Sequence, residues 1–499
     1  MEDISLGIQE YRRLKGQPII DEGTGHPRVG KHSLIKQAYD VARDTSGPEN
    51  AYIPAGGSME ARGSGARFLN FCISLGMNHD HTSQSNFFPP FSAENALIFT
   101  GSTEGYSNIY QALRKLYPKK DTIVSLQSIY SAQNAELRGM GFNTVNLSGS
   151  RDNSFCLDSV DAYNQAFAPY KDKTILIQDG SQNPYSMIAS PENTKIKADF
   201  LNTHSDIPAY FDFPYYFISA HPEVLTPRYV SEDVARNSFY SHSVSKIGGD
   251  PGTCGVIASH RQDVINLMLQ DNVNYRLSIP QLVEEQAKLF FSGVIREFNQ
   301  LAFESWKGGQ ADPVLSALHN WEIAKNTAEP YLKNQAHLMN MLRGSMESLG
   351  FTGELVTLDH NSGMYVNLFL DQLKGKKFSD KKVLFGGQYS FVDVMGKDSI
   401  ESGEDLKKFL SILDGLPTEP RASITSRSGE MFNLDANHVG VRLCHTNGDA
   451  LNEKACEVIY NGLALAYVIE QNKEFSVIKN ESKIKSEKMV NDAFQYRRA

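Results

Sequence analysis

The sequence predicts an α/β protein whose main sheet is mostly parallel. Helix-like and strand-like segments alternate from Asn95 to Ala258, an order typical of a sheet covered by helices. Helical periodicity dominates from Ile279 to Leu349, and strand-like alternation returns at residues 362–368 and 439–443. Together these observations predict a large mostly parallel-sheet domain followed by a small C-terminal α/β domain.

Length, charge and cysteine usage narrow the class of protein. The chain has 499 residues and is 40% hydrophobic, so it can bury a large core and divide into two or three domains. Its net charge of −9 argues against nucleic-acid binding as the main role. The 5 cysteines form no CxxC pair, which is typical of free thiols in a reducing compartment. Because the chain opens with acidic residues and lacks a long apolar run, we expect a cytoplasmic protein without a membrane span.

Composition and periodicity predict three divisions. We expect an N-terminal arm and substrate-side segment over residues 1–50, a large domain over 51–320 and a small C-terminal domain over 321–499. The segment 371–427 is longer and more polar than a connection needs, and residues 401–408 predict an insertion with its own helix. This insertion either shapes substrate choice or is a surface elaboration.

The first part of the chain alternates between short regular segments and turns. Residues 18–27 predict an extended segment, and residues 34–43 predict a helix. Residues 52–65 are rich in turn formers, and a helical pattern returns at residues 66–75.

A stretch of small residues around Lys246 is the strongest candidate for chemistry. It runs from Ser241 to Gly255 and follows the apolar pair Phe239-Tyr240. Partial burial lowers the pKa of an amine and makes it nucleophilic toward carbonyl groups, and nearby hydroxyls and loop amides can bind a phosphate. The same composition also fits an ordinary turn with a solvated lysine.

A second candidate lies where an apolar strand meets a helical pattern. The strand-like run from Asn95 turns through Gly101-Ser102-Thr103 into a helix that we expect over residues 106–117. Free amides and the dipole at a helix N-terminus form a site for anions. An ordinary Ser/Thr helix cap has the same sequence.

Three polar residues end or interrupt other strand-like runs. Asn183 follows an apolar run and precedes Pro184, which restricts its backbone. Asp212 lies among aromatic residues, where burial is costly unless a cation such as a protonated pyridine nitrogen receives the carboxylate. Arg442 lies in a short apolar strand, and its planar guanidinium suits a carboxylate. Asp212 could instead be a turn residue, and Arg442 a surface cation.

Taken in chain order, these motifs resemble those of the fold-type I pyridoxal-phosphate (PLP) enzymes, and most nearly the class I/II aminotransferase-like superfamily. The resemblance extends from about Ile19 to the strand of Arg442, and only the ordered set is specific. The set consists of Gly101-Ser102-Thr103, Asn183-Pro184, Asp212 with Tyr215, Ser243-x-x-Lys246 and Arg442.

The resemblance implies that PLP is the cofactor and that Lys246 binds it as a Schiff base. It implies that Asp212 pairs with the pyridine nitrogen, while Asn183 and Tyr215 hydrogen-bond the phenolic oxygen. It implies a phosphate site built from Gly101, Ser102, Thr103 and Ser243.

Three further residues receive roles only through the resemblance, which also agrees with the role of Arg442. Tyr130 falls where the family stacks an aromatic side chain on the ring, although a core tyrosine fits the same position. Tyr52 resembles the tyrosine that enters the phosphate site of the neighbouring subunit, which implies a homodimer. Gly25 would line the substrate side of the ring, and Arg442 would bind the substrate carboxylate.

Two departures from the family pattern leave the reaction type open. The family usually has a phosphate-binding arginine eight residues after the lysine, but this chain has Cys254 there, so His242 or another cation must replace it. After Asn183 the chain reads Tyr185-Ser186-Met187 where the family usually has Pro-Thr-Gly.

Three functions remain compatible with the sequence. The first is an aminotransferase acting on a small amino or oxo acid, and the second is a PLP-dependent lyase, replacement or bond-forming enzyme. The third is a non-enzymatic ligand sensor with the same fold. No metal site is expected, because the three adjacent residues His79-Asp80-His81 cannot all face one ion on a regular element.

Overall fold

The computed structural model describes most of the first two thirds of the chain and shorter segments beyond it. The described residues are 19–21, 32–44, 53–78, 88–129, 131–150, 153–179, 189–215, 226–248, 254–275, 279–321, 333, 336, 339–340, 343, 354–356, 365–375, 377, 392, 395–412, 423–425, 427–428 and 439–444.

The described strands are numbered β1 to β13 along the chain. They are β1 Ile19–Asp21, β2 Ala96–Phe99, β3 Thr122–Ser125, β4 Asn143–Asn146, β5 Thr174–Asp179, β6 Ala209–Asp212, β7 Phe239–Ser243, β8 Gly255–Ser259, β9 Glu354–Val356, β10 Tyr365–Phe369, β11 Ser423–Thr425, β12 Arg427–Ser428 and β13 Gly440–Cys444.

The described α-helices are numbered in the same way. They are α1 Ser33–Asp44, α2 Met59–Asn78, α3 Gly101–Leu116, α4 Ser131–Gly139, α5 Val160–Phe167, α6 Pro191–Thr203, α7 Glu232–Arg236, α8 Gln262–Tyr275, α9 Gln281–Gln286, α10 Ser292–Lys307, α11 Pro313–Asn320 and α12 Gly403–Ile412. None of them combines the length and apolar composition that crossing a lipid bilayer requires.

The main sheet has seven described strands in the order β2-β8-β7-β6-β5-β3-β4. All neighbouring strands are parallel except β8, which is antiparallel to both β2 and β7. The strands from β5 to β8 consist almost entirely of buried residues, as expected for strands covered on both faces. The predicted mostly parallel α/β sheet is therefore confirmed.

Helices cover both faces of this sheet, and each face has its own apolar core. One core contains Phe68 of α2 together with Phe290 and Phe291, which lie in a π-helical turn before α10. The other contains Tyr110 of α3 and Met268 of α8. The strands contribute to the two cores with alternate residues, because successive side chains of a strand point to opposite faces.

Helix α2 begins earlier than the sequence predicts. Its first turns include Gly63 and Gly65, and the prediction of turns up to residue 65 is wrong because these glycines serve packing. A Cβ atom at Gly65 would lie 2.7 Å from Val256 Cγ2 and 3.0 Å from Ile98 Cδ1. The missing side chain lets the helix lie directly on β2 and β8.

Strand β7 also extends further than the sequence predicts. Ser241, His242 and Ser243 belong to the strand rather than to the loop, because each pairs with a residue of β8. The loop that carries Lys246 thus begins with a 3₁₀ turn over Val244–Lys246. This extension carries Ser241 and Ser243 into the carboxyl end of the sheet.

The C-terminal part of the chain contains a smaller antiparallel sheet in the order β12-β13-β10-β9. Helix α12 confirms the helix predicted near residues 401–408, and it packs against β11, β12 and β13. Strand β1 pairs in parallel with β11, a pairing that the sequence does not reveal. The predicted insertion therefore contributes directly to the layers around the small sheet.

Candidate active site

The candidate site lies at the carboxyl ends of β6 and β7. Asp212 is the last residue of β6 and pairs with Ser241 of β7. Lys246 closes the 3₁₀ turn that follows β7. Ligands in open α/β sheets bind beyond the carboxyl ends of the strands, so the backbone places this acid and this lysine where a ligand is expected.

Hydroxyl groups fix the turn that carries Lys246. The Ser243 Oγ accepts a hydrogen bond from the Ser245 amide at 3.2 Å and shares another with the Ser245 Oγ at 2.7 Å. The Lys246 Nζ lies 5.8 Å from the centre of the Tyr215 ring. Tyr215 is buried, and Lys246 itself is half-buried, so the amine has an aromatic ring on one side.

The ionised form of Asp212 is energetically unfavourable in its surroundings. Burial raises its pKa to about 6, although a hydrogen bond from Ser241 and the charge of Lys246 both act to lower it. The Ser241 Oγ donates that bond to the Asp212 Oδ1 at 2.5 Å. A carboxylate in this position gains free energy from a cationic partner, so it fits the protonated nitrogen of a pyridine ring.

The start of α3 forms a cradle for an anion. Gly101 has a φ angle of +79°, which favours glycine, and it turns the chain from β2 into the helix. The side chain of the N-cap residue Thr100 makes no capping hydrogen bond, whereas the Glu104 carboxylate accepts one from the Thr100 amide at 3.0 Å. The amides of Ser102 and Thr103 follow at the positive end of a helix of 16 residues.

Gly255 joins this cradle to the lysine turn. It is the first residue of β8, where it pairs with Ser243. A Cβ atom at Gly255 would lie 2.5 Å from the Gly101 carbonyl carbon and 2.6 Å from the Ser102 nitrogen. The first turn of α3 therefore packs directly on the backbone of β8, beside the strand that carries Ser243, and only glycine allows this approach. The free amides at the start of α3 suit a phosphate group.

Gly255→Ala is expected to disrupt the cradle. Because the added methyl group meets backbone atoms that cannot rotate away, we expect a loss of about 2 kcal/mol in the free energy of unfolding. We also expect weaker PLP binding. Gly139→Ala is the matched control, since its Cβ meets no atom within 4 Å, and we expect a change of less than about 1 kcal/mol. Urea denaturation and cofactor titration measure both effects; equal behaviour of the two variants would contradict the close approach.

Neither His242 nor Cys254 supplies the positive charge that the family's phosphate-binding arginine would provide. His242 is fully buried on the other face of β7, its ring is 5.0 Å from that of Phe68, and burial lowers its pKa to about 3. Its imidazole is thus neutral at pH 7, so the interpretation of His242 as the phosphate-binding cation is wrong. Burial raises the pKa of the Cys254 thiol, with a further contribution from Glu284, so this side chain is also neutral.

The structure brings several sequence-predicted residues together. Asp212, Tyr215 and Lys246 form one group, and Ser243 connects it through Gly255 to Gly101-Ser102-Thr103. The predictions for Gly25, Tyr52, Tyr130 and Asn183 lie outside the described residues.

Arg442 lies in the smaller sheet, in the middle of β13. Its backbone is paired with Arg427 of β12 on one side and with Asn367 of β10 on the other. The three residues therefore occupy one row across the sheet. Asn367 is buried, with 1% of its surface exposed.

Sequence reasoning missed three residues of the site: Tyr210, Ser241 and Gly255. Ser241 was included in the small-residue stretch without a role, although it alternates with Tyr240 and His242 as a strand residue does. That alternation was the available signal, because it places Ser241 on the same face as Ser243.

The sheet order and the antiparallel β8 belong to the fold-type I fold, which solved aminotransferase structures share. A double mutant of the aspartate aminotransferase of Thermus thermophilus has a TM-score of 0.64 and 16% identity, covering 92% of this chain and 95% of that one. The aspartate aminotransferase of Rhizobium meliloti has a TM-score of 0.65 and 14% identity, covering 93% and 96%.

An aminotransferase of Eubacterium rectale has a TM-score of 0.61 and 15% identity, covering 93% of this chain and 95% of its own. No protein-family model matches the chain, and no curated protein matches it by sequence. At these identities the likeness establishes the fold.

Proposed function

We propose that this protein is a PLP-dependent enzyme that acts on an amino acid, and that its reaction is transamination of a small amino or oxo acid. The observation that carries the proposal is the group formed by Lys246, Asp212 and the anion cradle at the carboxyl edge of the sheet. An amine, a half-buried acid and a phosphate site together match the aldehyde, the ring nitrogen and the phosphate of PLP.

Each residue of the group has a defined task in this proposal. PLP, when bound, supplies the electron sink that allows a bond at the substrate α-carbon to break. The amine of Lys246 would hold the cofactor aldehyde and would carry protons to and from the reacting carbons. Asp212 keeps the ring nitrogen protonated, because an adjacent anion raises the pKa of a pyridinium.

Arg442 is proposed to bind the substrate carboxylate. Its backbone pairs with that of Arg427 in the smaller sheet. The planar guanidinium of an arginine suits a carboxylate, which supports this role. Gly25 on the substrate side, Asn183 and Tyr130 complete the proposed set through the family resemblance alone.

A lyase, replacement or bond-forming reaction is the second candidate. The specific observation in its favour is the neutral Cys254 where the family has a phosphate-binding arginine, since the site then holds the phosphate differently. The same three residues, Lys246, Asp212 and Arg442, would serve this chemistry, because bond breaking at the α-carbon is common to both reactions.

Single-turnover spectroscopy with a panel of amino acids distinguishes these functions. We expect a small amino acid to convert the bound cofactor to its aminated form, which absorbs at a different wavelength and stays aminated until an oxo acid is added. Return of the aldehyde form without an oxo acid would identify elimination or replacement. Cofactor binding without turnover of any amino acid would contradict enzymatic function and favour a ligand sensor.

We further propose a cytoplasmic homodimer with shared active sites and domain boundaries near residues 50 and 320. The support for sharing is Tyr52, which resembles the tyrosine that the family inserts into the neighbouring site. The segment that follows it is anchored at Ser58, whose amide and hydroxyl both donate to the buried Glu284 carboxylate.

A further inference from the structure

Two buried hydroxyl groups lie in line behind the Asp212 carboxylate. The Ser241 Oγ is 2.5 Å from the Asp212 Oδ1, and the Tyr210 hydroxyl is 2.7 Å from the Ser241 Oγ. Ser241 and Tyr210 are both fully buried. The contacts join adjacent strands, since Asp212 and Ser241 pair directly and Tyr210 lies two residues before Asp212 on the same face of β6.

The chemistry of the three groups sets the direction of these hydrogen bonds. An ionised carboxylate only accepts, so the single hydroxyl proton of Ser241 points to Asp212. The Ser241 oxygen can then only accept from Tyr210, which must be the donor. Burial raises the pKa of Tyr210 well above its ordinary value, and the nearby Asp212 and Tyr110 raise it further, so its proton is retained.

The polar groups next to these hydroxyls, on the same face of the sheet, form a second hydrogen-bonded network. The Gln133 Nε2 donates to the Tyr110 hydroxyl at 2.5 Å, and the Gln178 Nε2 donates to the Gln133 Oε1 at 2.7 Å. The Tyr110 hydroxyl in turn lies 3.4 Å from the Gln178 Oε1. Gln178 pairs with Tyr210 in adjacent strands, so this closed ring of hydrogen bonds borders the hydroxyl chain.

We propose that Ser241 and Tyr210 are positioning residues, which hold the Asp212 carboxylate ionised and in one orientation for the ring nitrogen of the cofactor. The proposal rests on the proposed function. Because the Ser241 hydroxyl binds Oδ1, it orients the carboxylate so that Oδ2 can receive the cationic nitrogen. Direct hydrogen bonds between side chains on two paired strands also keep the acceptor direction constant when substrate enters or product leaves.

The chain should act on the charge of Asp212 as well as on its orientation. A hydrogen bond to the charged form of an acid favours that form, so Ser241 lowers the pKa that burial raises. The titratable groups that face Asp212 from the surrounding elements are Lys246 after β7, Tyr210 on β6 and Tyr110 on α3. Both tyrosines stay neutral, which leaves Lys246 as the charged neighbour among the residues that the structure describes.

The test is a titration of Asp212 in the cofactor-free full-length protein. Aspartate labelled with ¹³C at the side-chain carboxyl is incorporated, and the signal of Asp212 is assigned by its disappearance in Asp212→Asn. We expect Ser241→Ala to raise the pKa of Asp212 by about 1 to 2 units, because a hydrogen bond to a charged group contributes that much. Tyr210→Phe should raise it by a smaller amount.

Tyr240→Phe is the matched control. Tyr240 is also fully buried, and its hydroxyl donates to the Ala235 carbonyl at 3.3 Å on the other face of the sheet. The Tyr240→Phe variant therefore loses a buried tyrosine hydroxyl without changing the two hydrogen-bonded hydroxyls behind Asp212. We expect the Asp212 titration of this variant to match that of the wild type, even if its stability falls.

An unchanged midpoint in Ser241→Ala would overturn the proposal, and a midpoint in Tyr210→Phe equal to that in Tyr240→Phe would remove Tyr210 from it. The titration needs no cofactor, so it is independent of the proposed function. Failure of that function would instead appear as a wild-type protein that forms no absorbing Schiff base with added PLP.

Discussion

Lys246→Ala is expected to lose the covalent link to PLP and to lower turnover by at least about 1,000-fold, because it removes both the nucleophilic amine and the group that transfers protons. In the wild type, borohydride reduction followed by peptide mapping should label Lys246. Lys115→Ala is the control, since its half-exposed amine, in the last turn of α3, forms an ion pair with the buried Asp271 carboxylate, and both its labelling and its turnover should match the wild type.

A label on any other lysine would contradict the assignment of Lys246. The same variant also tests the shared site: mixed dimers of inactive Tyr52→Ala and inactive Lys246→Ala chains should recover activity, because one of the two sites then receives both intact residues. Verified mixed dimers without activity, or a monomer by light scattering, would speak against sharing.

Asp212→Asn is expected to lower turnover by at least about 100-fold, a loss typical for the removal of one preorganised electrostatic partner. Asparagine keeps the size of the side chain and can still accept from Ser241, but it carries no charge to hold the ring nitrogen protonated. The cofactor should remain bound, because the cradle and Lys246 are unchanged. We therefore expect the affinity for PLP to fall much less than the turnover.

The same substitution should stabilise the cofactor-free protein at neutral pH. The pKa of Asp212 is raised from 3.8 to about 6, so the folded state prefers the protonated acid. The stabilising effect of this preference is complete below pH 3.8 and is lost as the pH rises through about 6. At pH 8 the ionised carboxylate then costs about 3 kcal/mol, which Asp212→Asn removes.

Urea denaturation of the two cofactor-free proteins between about pH 5 and pH 8 measures this difference. The free energy of unfolding of the variant should increase relative to that of the wild type as the pH rises. This difference should level off above about pH 7. Addition of PLP should reverse the order at neutral pH, because the wild-type carboxylate then has its cationic partner. A variant with near-normal turnover would show that Asp212 is structural.

The parts of the site that sequence reasoning found are those with local signals. Lys246 stands out because hydroxyls and glycines surround it, and Asp212 because an acid among aromatic residues needs a partner. The mostly parallel sheet follows from alternating periodicities, which each segment carries by itself. In all these cases the evidence lies within about 15 residues of chain, so no knowledge of distant contacts is required.

What the sequence did not reveal depends on pairings between distant segments. Gly255 is essential because β8 passes beside the first turn of α3, and Ser241 matters because β7 pairs with β6. Likewise, the sequence around Gly65 is typical of a turn, and only the close approach of Val256 shows that this glycine serves packing. The residue pattern of a strand indicates which of its two faces is buried, but it does not indicate which other strand lies beside it.

The antiparallel strand β8 has a consequence for how the protein is made. It joins β2 to β7, with Ala96 paired to Ala258, so the strand before the phosphate cradle gains this neighbour only after residue 259 has left the ribosome. Until then α3 has no β8 to pack against, and Gly255 cannot meet Gly101. Contacts of such long sequence separation form slowly, and unpaired strand edges favour aggregation during the delay. We therefore expect the start of α3 to reach its final packing late in folding.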